Sequence, residues 1–302
     1  MKVAVLGVSG MLGSMVLDIF SQEKNIQTIG TVRGGTPIQF PDGVQQRHLD
    51  AELATTQEVA SLLEGVDWVI NCIGVIKYHI HDDNHGESER AIRVNSLFPH
   101  VLAEAATRTG SRVLQIATDC VYSGSKGSYL ETDPHDALDV YGKTKSLGEV
   151  PTDGFYNLRC SIIGPERKEK QSLLEWFLGQ PRGGAVMGYT NHYWNGVTTL
   201  HFAKLCLGII GGSVKMPGHT HVLPADVLSK ADLLHSFAMF FGRKDLAIAA
   251  RPVPQSVDRS LGTLDPDLNL RIWQAAGYLE PPTLALMVEE LAQYIHSRGG
   301  AF

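Results

Sequence analysis

Tyr141 and Lys145 stand four positions apart in Tyr141-Gly142-Lys143-Thr144-Lys145. On a helix this spacing puts a phenol and an ammonium on one face, a turn apart. A phenol with a pKa of about 10 is a poor proton donor or acceptor at neutral pH until a neighbouring cation favours its anion. Lys145 is placed to supply that charge. Thr118 closes an apolar run, where its hydroxyl can hold a carbonyl oxygen beside the Tyr141 phenol. The chemistry these residues could do is proton transfer at a carbonyl or its alcohol. A Tyr-x-x-x-Lys match arises often by chance, so its weight depends on what surrounds it.

A second group is Gly7-Val8-Ser9-Gly10-Met11-Leu12-Gly13, with the spacing G-x-x-G-x-x-G. Gly7 permits a tight turn, Gly10 lets the backbone around Ser9 approach a pyrophosphate, and Gly13 lets a helix pack on the preceding strand. The N–H groups of that helix then point at the anion. Lys145 would in turn reach the ribose of a nicotinamide. The next strand ends Gly30-Thr31-Val32-Arg33-Gly34, without the acid that binds a ribose 2′-hydroxyl in NAD sites. A guanidinium pairs bidentately with a 2′-phosphate, so Arg33 favours NADP(H). The competing reading makes Arg33 a solvated loop charge.

The elements that must position these groups follow from periodicity. Short β-branched runs at residues 3–6, 26–32, 67–72, 112–117 and 155–159 alternate with helical patterns at 11–21, 56–63, 87–108 and 139–149. Thr55-Thr56-Gln57-Glu58 carries a capping box. In the helix at 87–108, Ile92, Leu97, Val101, Leu102 and Ala105 form the expected apolar face. Repeated βαβ units predict an α/β fold, a Rossmann-like, doubly wound parallel sheet. Beyond Pro165 the pattern loosens into helices near 172–178, 198–210, 229–241 and 283–297. The expected division is a nucleotide-binding domain over 1–165 and a smaller C-terminal α/β substrate lobe over 166–302.

Composition bounds the function. The 302 residues carry a formal charge of −6, which argues against a nucleic-acid or anionic-membrane partner. No apolar run approaches the roughly 20 residues of a spanning helix. The opening apolar run stops at Gly7, so it reads as a buried strand rather than a signal peptide. Cys72, Cys120, Cys160 and Cys206 are scattered and read as thiols in a reducing cytoplasm.

The chain resembles the extended short-chain dehydrogenase/reductase superfamily and, within it, the dTDP-4-dehydrorhamnose reductases. The likeness rests on Ala117-Thr118-Asp119-Cys120-Val121-Tyr122-Ser123-Gly124, Tyr129-Leu130-Glu131-Thr132-Asp133, Val140 to Lys145, Asn71-Cys72-Ile73-Gly74 and Val94-Asn95. It is specific to about residue 165 and thin beyond. It implies that Thr118, Tyr141 and Lys145 form a catalytic triad. It further implies that Gly10, Met11, Leu12, Asp50, Ala51, Ile73, Gly74 and Val75 line the dinucleotide, with Cys72 beside them, and that Asp119 touches substrate. The implied reaction is reduction of the 4-keto group of a nucleotide-diphosphate deoxysugar, in surface-polysaccharide or deoxysugar biosynthesis. The related 4,6-dehydratases carry Thr-Asp-Glu at this strand end; Cys120 cannot act as that acid, which disfavours dehydration. Gly188-Tyr189-Thr190-Asn191-His192-Tyr193-Trp194-Asn195-Gly196-Val197-Thr198 is not expected of a rhamnose-pathway reductase and points to another sugar.

Other residues divide between function and structure. The run Tyr78-His79-Ile80-His81-Asp82-Asp83-Asn84-His85 matches no closed zinc site and reads as a polar loop at the substrate mouth, so no metal is expected. Trp194 could stack on the sugar or base, or pack the lobe. Arg167 and Arg182 could bind a diphosphate or sit in surface ion pairs. A homodimer is compatible with this reading. A cofactor-binding regulatory subunit, similar to the methionine adenosyltransferase β-subunit, is the competing class. Epimerase chemistry on tightly held NAD is a third reading, which Arg33 disfavours.

Overall fold

The structure is a computed structural model that describes residues 1–34, 39–166, 170–212 and 214–299. The first half runs β1 (Lys2–Leu6), α1 (Met11–Phe20), β2 (Gln27–Val32), β3 (Gln45–His48), α2 (Thr56–Leu63), β4 (Trp68–Asn71), α3 (His85–Ala91), α4 (Phe98–Thr109), β5 (Arg112–Ile116), α5 (Val140–Leu147) and β6 (Phe155–Arg159). The second half adds β7 (Ile162–Ile163), α6 (Leu173–Leu178), β8 (Ala185–Tyr189), β9 (His192–Trp194), β10 (Val197–Thr198), α7 (Thr199–Gly212) and β11 (His219–His221). It ends with β12 (Leu228–Ser229), α8 (Lys230–Phe240), β13 (Ala247–Arg251), β14 (Val257–Asp258), α9 (Pro266–Ala275) and α10 (Leu284–Ser297).

The main sheet has seven strands in the order β11-β6-β5-β4-β1-β2-β3, all parallel. This is the doubly wound order, in which the chain reverses direction between β1 and β4 and opens a crevice beyond their C-terminal ends. Alternation in β1 shows why both faces are covered. Val3 and Val5 enter one core with α1, α7 and α10, whereas Ala4 and Leu6 enter the other with α2 and α4. The capping box on α2 forms, with the Glu58 amide donating to Thr55 Oγ1 at 3.3 Å and the Thr55 amide to Glu58 Oε2 at 2.9 Å.

The structure departs from the sequence pattern at three places. β3 joins the sheet edge, and β11 joins the opposite edge from far beyond residue 165. Residue 165 therefore marks the end of the continuous βαβ run and not the end of the sheet. The third departure is in the long helix, which holds a π turn over Ile92–Leu97 between α3 and α4. The wider turn takes in one extra residue and rotates the following side chains by roughly 100°. Ile92 and Leu97, expected in the core, are 52% and 54% exposed, while Val94 and Phe98 are buried in their place. The gain is at the site, because the π turn directs Asn95 and Ser96 toward α5.

Candidate active site

The phosphate loop is built as its glycines require. Gly7 has φ of +78°, and its N–H donates to Thr31 Oγ1 of β2 at 3.0 Å. A methyl group on Gly13 would lie 2.2 Å from the Gly7 carbonyl oxygen, so α1 can begin this close to β1 only through glycine. The first turn of α1 has no side-chain cap and no acid, which leaves its N–H groups available to an anion. Ser9, Gly10, Met11 and Leu12 form one wall of a cavity of about 530 Å³ at the crevice. Cys72, Ile73, Gly74 and Val75 form the next wall, and Thr118, Asp119, Tyr141 and Lys145 close the far end.

α5 carries Tyr141 and Lys145 into that end. Asp139 caps it, accepting from the Gly142 amide at 2.8 Å, and also pairs with Lys77 Nζ at 2.8 Å. Asn95 ties the π turn to the cavity wall and to α5. Its Oδ1 accepts from the Val75 amide at 2.8 Å, and its Nδ2 donates to the Val75 carbonyl at 3.0 Å and to Thr144 Oγ1 at 3.3 Å. Ser96 Oγ donates to the Thr144 carbonyl at 2.8 Å. The opposite end of α5 is held by an amide row across the sheet. Asn71, Gln115 and Asn157 are register partners on β4, β5 and β6. Asn71 Nδ2 donates to Gln115 Oε1 at 2.9 Å, and Gln115 Nε2 donates to Asn157 Oδ1 at 3.0 Å and to the Gly148 carbonyl at 2.8 Å.

Electrostatics follow from burial. Lys145 Nζ donates to the Ile116 carbonyl at 3.0 Å, and desolvation lowers its pKa to about 8 while Glu149 pulls the other way. Burial pushes the Tyr141 phenol above its ordinary value, with the Cys120 thiol and Asp119 adding to the rise and the Thr118 hydroxyl opposing it. The Thr118 hydroxyl donates to Asp119 Oδ1 at 3.2 Å and accepts from the Cys120 amide at 3.1 Å. Cys120, on the cavity wall, is pushed up to about 12 by burial and is a protonated thiol at neutral pH.

Behind α5 lies a buried ion pair that the residue pattern did not reveal. Arg159 and Glu149 are both buried, and Arg159 Nε donates to Glu149 Oε1 at 3.0 Å, with a second bond from Nη2 to Oε2. Arg159 Nη1 also donates to Tyr122 Oη at 2.8 Å and to His221 Nε2 at 2.6 Å. His221 donates through Nδ1 to the Gly262 carbonyl at 2.7 Å, and burial, aided by Arg159, lowers its pKa to about 4. It is therefore the neutral Nδ1–H tautomer.

Other sequence expectations land differently. Arg33 is exposed just beyond β2, and its carbonyl accepts from His48 Nε2 at 2.8 Å. Asp50 and Ala51 follow β3 at the same sheet edge, outside the cavity wall, where Asp50 Oδ1 accepts from the Glu52 amide at 3.1 Å. Trp194 is buried at 4% exposure and packs in the core instead of lining the cavity. Arg182 is exposed and off the cavity wall, and Arg167 lies outside the described residues. Tyr78 and His79 of the polar loop do line the cavity, while His81 pairs with Glu87 at 2.8 Å and Asp82 Oδ1 accepts from the Val140 amide at 3.2 Å, so the loop also docks on α5. Among the described residues, no three His, Cys, Asp or Glu side chains gather as a metal site would require, and no helix is long and apolar enough to cross a membrane.

A glycine-cradled crevice beside a Tyr-Lys helix defines the dinucleotide-dependent class of the doubly wound fold. Residues 1–163 match the RmlD substrate binding domain, and the chain belongs to that family. A dTDP-4-dehydrorhamnose reductase of Streptomyces griseus is 31% identical over 181 residues, covering 57% of this chain and 54% of that relative. Its counterpart in Burkholderia thailandensis is 29% identical over 153 residues, 50% of this chain and 45% of the relative. The chain thus matches about half the length of these curated relatives. The fold extends further. The solved dTDP-4-dehydrorhamnose reductase of Clostridium acetobutylicum superposes with a TM-score of 0.73 at 19% identity, over 98% of this chain and 100% of that one. The Bacillus anthracis enzyme, solved in complex with NADP, gives 0.72 at 16% identity over 97% and 99%.

Proposed function

We propose that the chain is an NADPH-dependent reductase of the 4-keto group of a nucleotide-diphosphate deoxysugar. The observation that carries this reading is the convergence of Thr118, Tyr141 and Lys145 at the end of a cavity whose near wall is the phosphate loop. The residues fit the cofactor: the uncapped start of α1 suits the pyrophosphate, and the Lys145 ammonium at the far end suits the nicotinamide ribose. Bound there, NADPH supplies the hydride. The chain's own residues do the rest. Thr118 Oγ holds the carbonyl oxygen, and the protonated Tyr141 phenol donates to the alkoxide as it forms. Lys145 orients the ribose, and its ammonium offsets the phenolate charge that the donation leaves until solvent returns the proton. The cytoplasm is the place of action, in keeping with four free thiols. Curated relatives named as 4-dehydrorhamnose reductases support the reaction class.

The test is NADPH consumption, followed optically, with a panel of 4-keto-6-deoxy nucleotide sugars made by dehydratases. Turnover of at least one member is the expected result. Silence across the panel with NADPH still bound would move the chain to the non-catalytic, cofactor-binding class. A companion measurement concerns Arg33. Arg33→Ala is expected to narrow the preference for NADPH over NADH by about tenfold or more, the worth of a charge-assisted pair. An unchanged ratio of kcat/KM values would assign the 2′-phosphate to another residue.

A further inference from the structure

Arg90 stands in the last turn of α3, and its side chain lines the cavity. It also reaches Glu52, in the turn that follows β3, whose Oε2 lies 3.6 Å from Arg90 Nε. That separation makes an ion pair without a hydrogen bond. The Nε atom is enclosed and has no hydrogen-bond partner among the described residues. The side chain as a whole is 42% exposed, so the rest of the guanidinium is open to an arriving ligand. An enclosed N–H without an acceptor is costly, and a ligand that brings an acceptor removes the cost.

The sheet order decides which part of a ligand meets this group. The phosphate loop follows β1, at the switch in strand order, and suits the pyrophosphate of a dinucleotide. Tyr141 and Lys145 close the cavity at its far end, so the nicotinamide half runs that way. The adenosine half is left with the opposite side, over β2 and β3. Glu52 follows β3, the outermost strand, and its pairing therefore sets Arg90 on the adenosine side. Charge narrows the choice further. A phosphate drawn to Nε would also meet the Glu52 carboxylate beside that same nitrogen, and like charges repel. A neutral acceptor meets no such opposition, and adenine carries neutral acceptors on its rings, N3 and N7 among them.

We propose that Arg90 binds the adenine base of the dinucleotide, with Nε–H donating to a ring nitrogen while Glu52 keeps the guanidinium in place. Arg33, exposed beyond β2, keeps the separate task of meeting the 2′-phosphate. Arg90 then sets the affinity for NADPH and NADH alike, and Arg33 sets the choice between them. The inference rests on the cavity being a dinucleotide site.

The experiment is fluorescence titration of wild type, Arg90→Met and Arg90→Lys with NADPH, NADH and reduced nicotinamide cytosine dinucleotide, at low and at high salt. Wild type is expected to bind NADH more tightly than the cytosine dinucleotide. Arg90→Met weakens NADPH and NADH by one common factor of about fivefold or more and narrows the gap between the two bases. It does so at either salt, because the acceptor is neutral. Arg90→Lys behaves like the Met variant, since an ammonium lacks the planar fork. An unchanged melting temperature is the control for folding. A loss confined to NADPH would assign Arg90 to the 2′-phosphate, and a loss that Lys restores or high salt removes would assign it to the pyrophosphate. Either result overturns the proposal, as does a gap between the bases that Arg90→Met leaves intact. Failure of wild type to bind any of the three overturns the cofactor reading itself, and the proposal with it.

Discussion

Tyr141→Phe is expected to lower kcat by about 10²–10⁴-fold, the usual worth of a positioned general acid, and to leave NADPH affinity within about twofold. The substitution removes one oxygen and keeps the ring, so α5 and its Asp139 cap remain as they are. Burial holds the phenol protonated, which suits donation to an alkoxide and not abstraction from an alcohol. Two neighbours could compete for the role. The Cys120 thiol, pushed up to about 12, is a weaker acid than an ordinary thiol. Asp119 is held above its usual carboxylate range by burial, although Arg259 and Lys230 work against that rise. Single-turnover rates with and without the phenol decide between them. A Phe variant retaining more than about a tenth of the rate would pass the proton to Asp119, and Asp119→Asn would then show the larger loss.

The second large effect is structural. Glu149→Gln leaves the Arg159 guanidinium buried without its carboxylate, and breaking a buried pair in this way costs about 3–5 kcal/mol. Urea unfolding would read that as a lower midpoint. The double variant Glu149→Met with Arg159→Met is expected to recover most of the loss, because it removes both charges. If the single variant is as stable as wild type, Tyr122, His135 and His221 satisfy Arg159 without help. A kinetic sign accompanies it. Glu149 opposes the fall of Lys145, whose pKa is about 8. Lys145 is charged below that value, so losing Glu149 brings deprotonation, and the alkaline limb of kcat/KM, to lower pH.

Much of this was legible along the chain. Gly7, Gly10 and Gly13 announce a strand-to-helix turn that must admit an anion, and Tyr141 to Lys145 is a one-turn pair whatever else surrounds it. Other parts carry no one-dimensional mark. β3 is Gln45-Gln46-Arg47-His48, with no apolar face to reveal it, and only the open edge of β2 makes it a strand. The π turn looks like ordinary helix because Leu97, Val101 and Ala105 keep an i, i+4 spacing, and the five-residue step from Ile92 to Leu97 is the only trace of the wider turn. Asn71, Gln115 and Asn157 did leave a trace, as polar residues inside otherwise apolar strands, but their alignment exists only once the register is set.

The placement of β11 has a consequence for how the molecule is made. The first six strands to be synthesised end at β6, whose outer edge then carries unpaired N–H and C=O groups and a buried-type arginine, Arg159, still lacking His221. Such an edge invites pairing with another chain. At ~5–20 residues per second, the ribosome takes several seconds to deliver His219–His221. For that interval the nascent chain holds a nearly finished nucleotide cradle with one raw side.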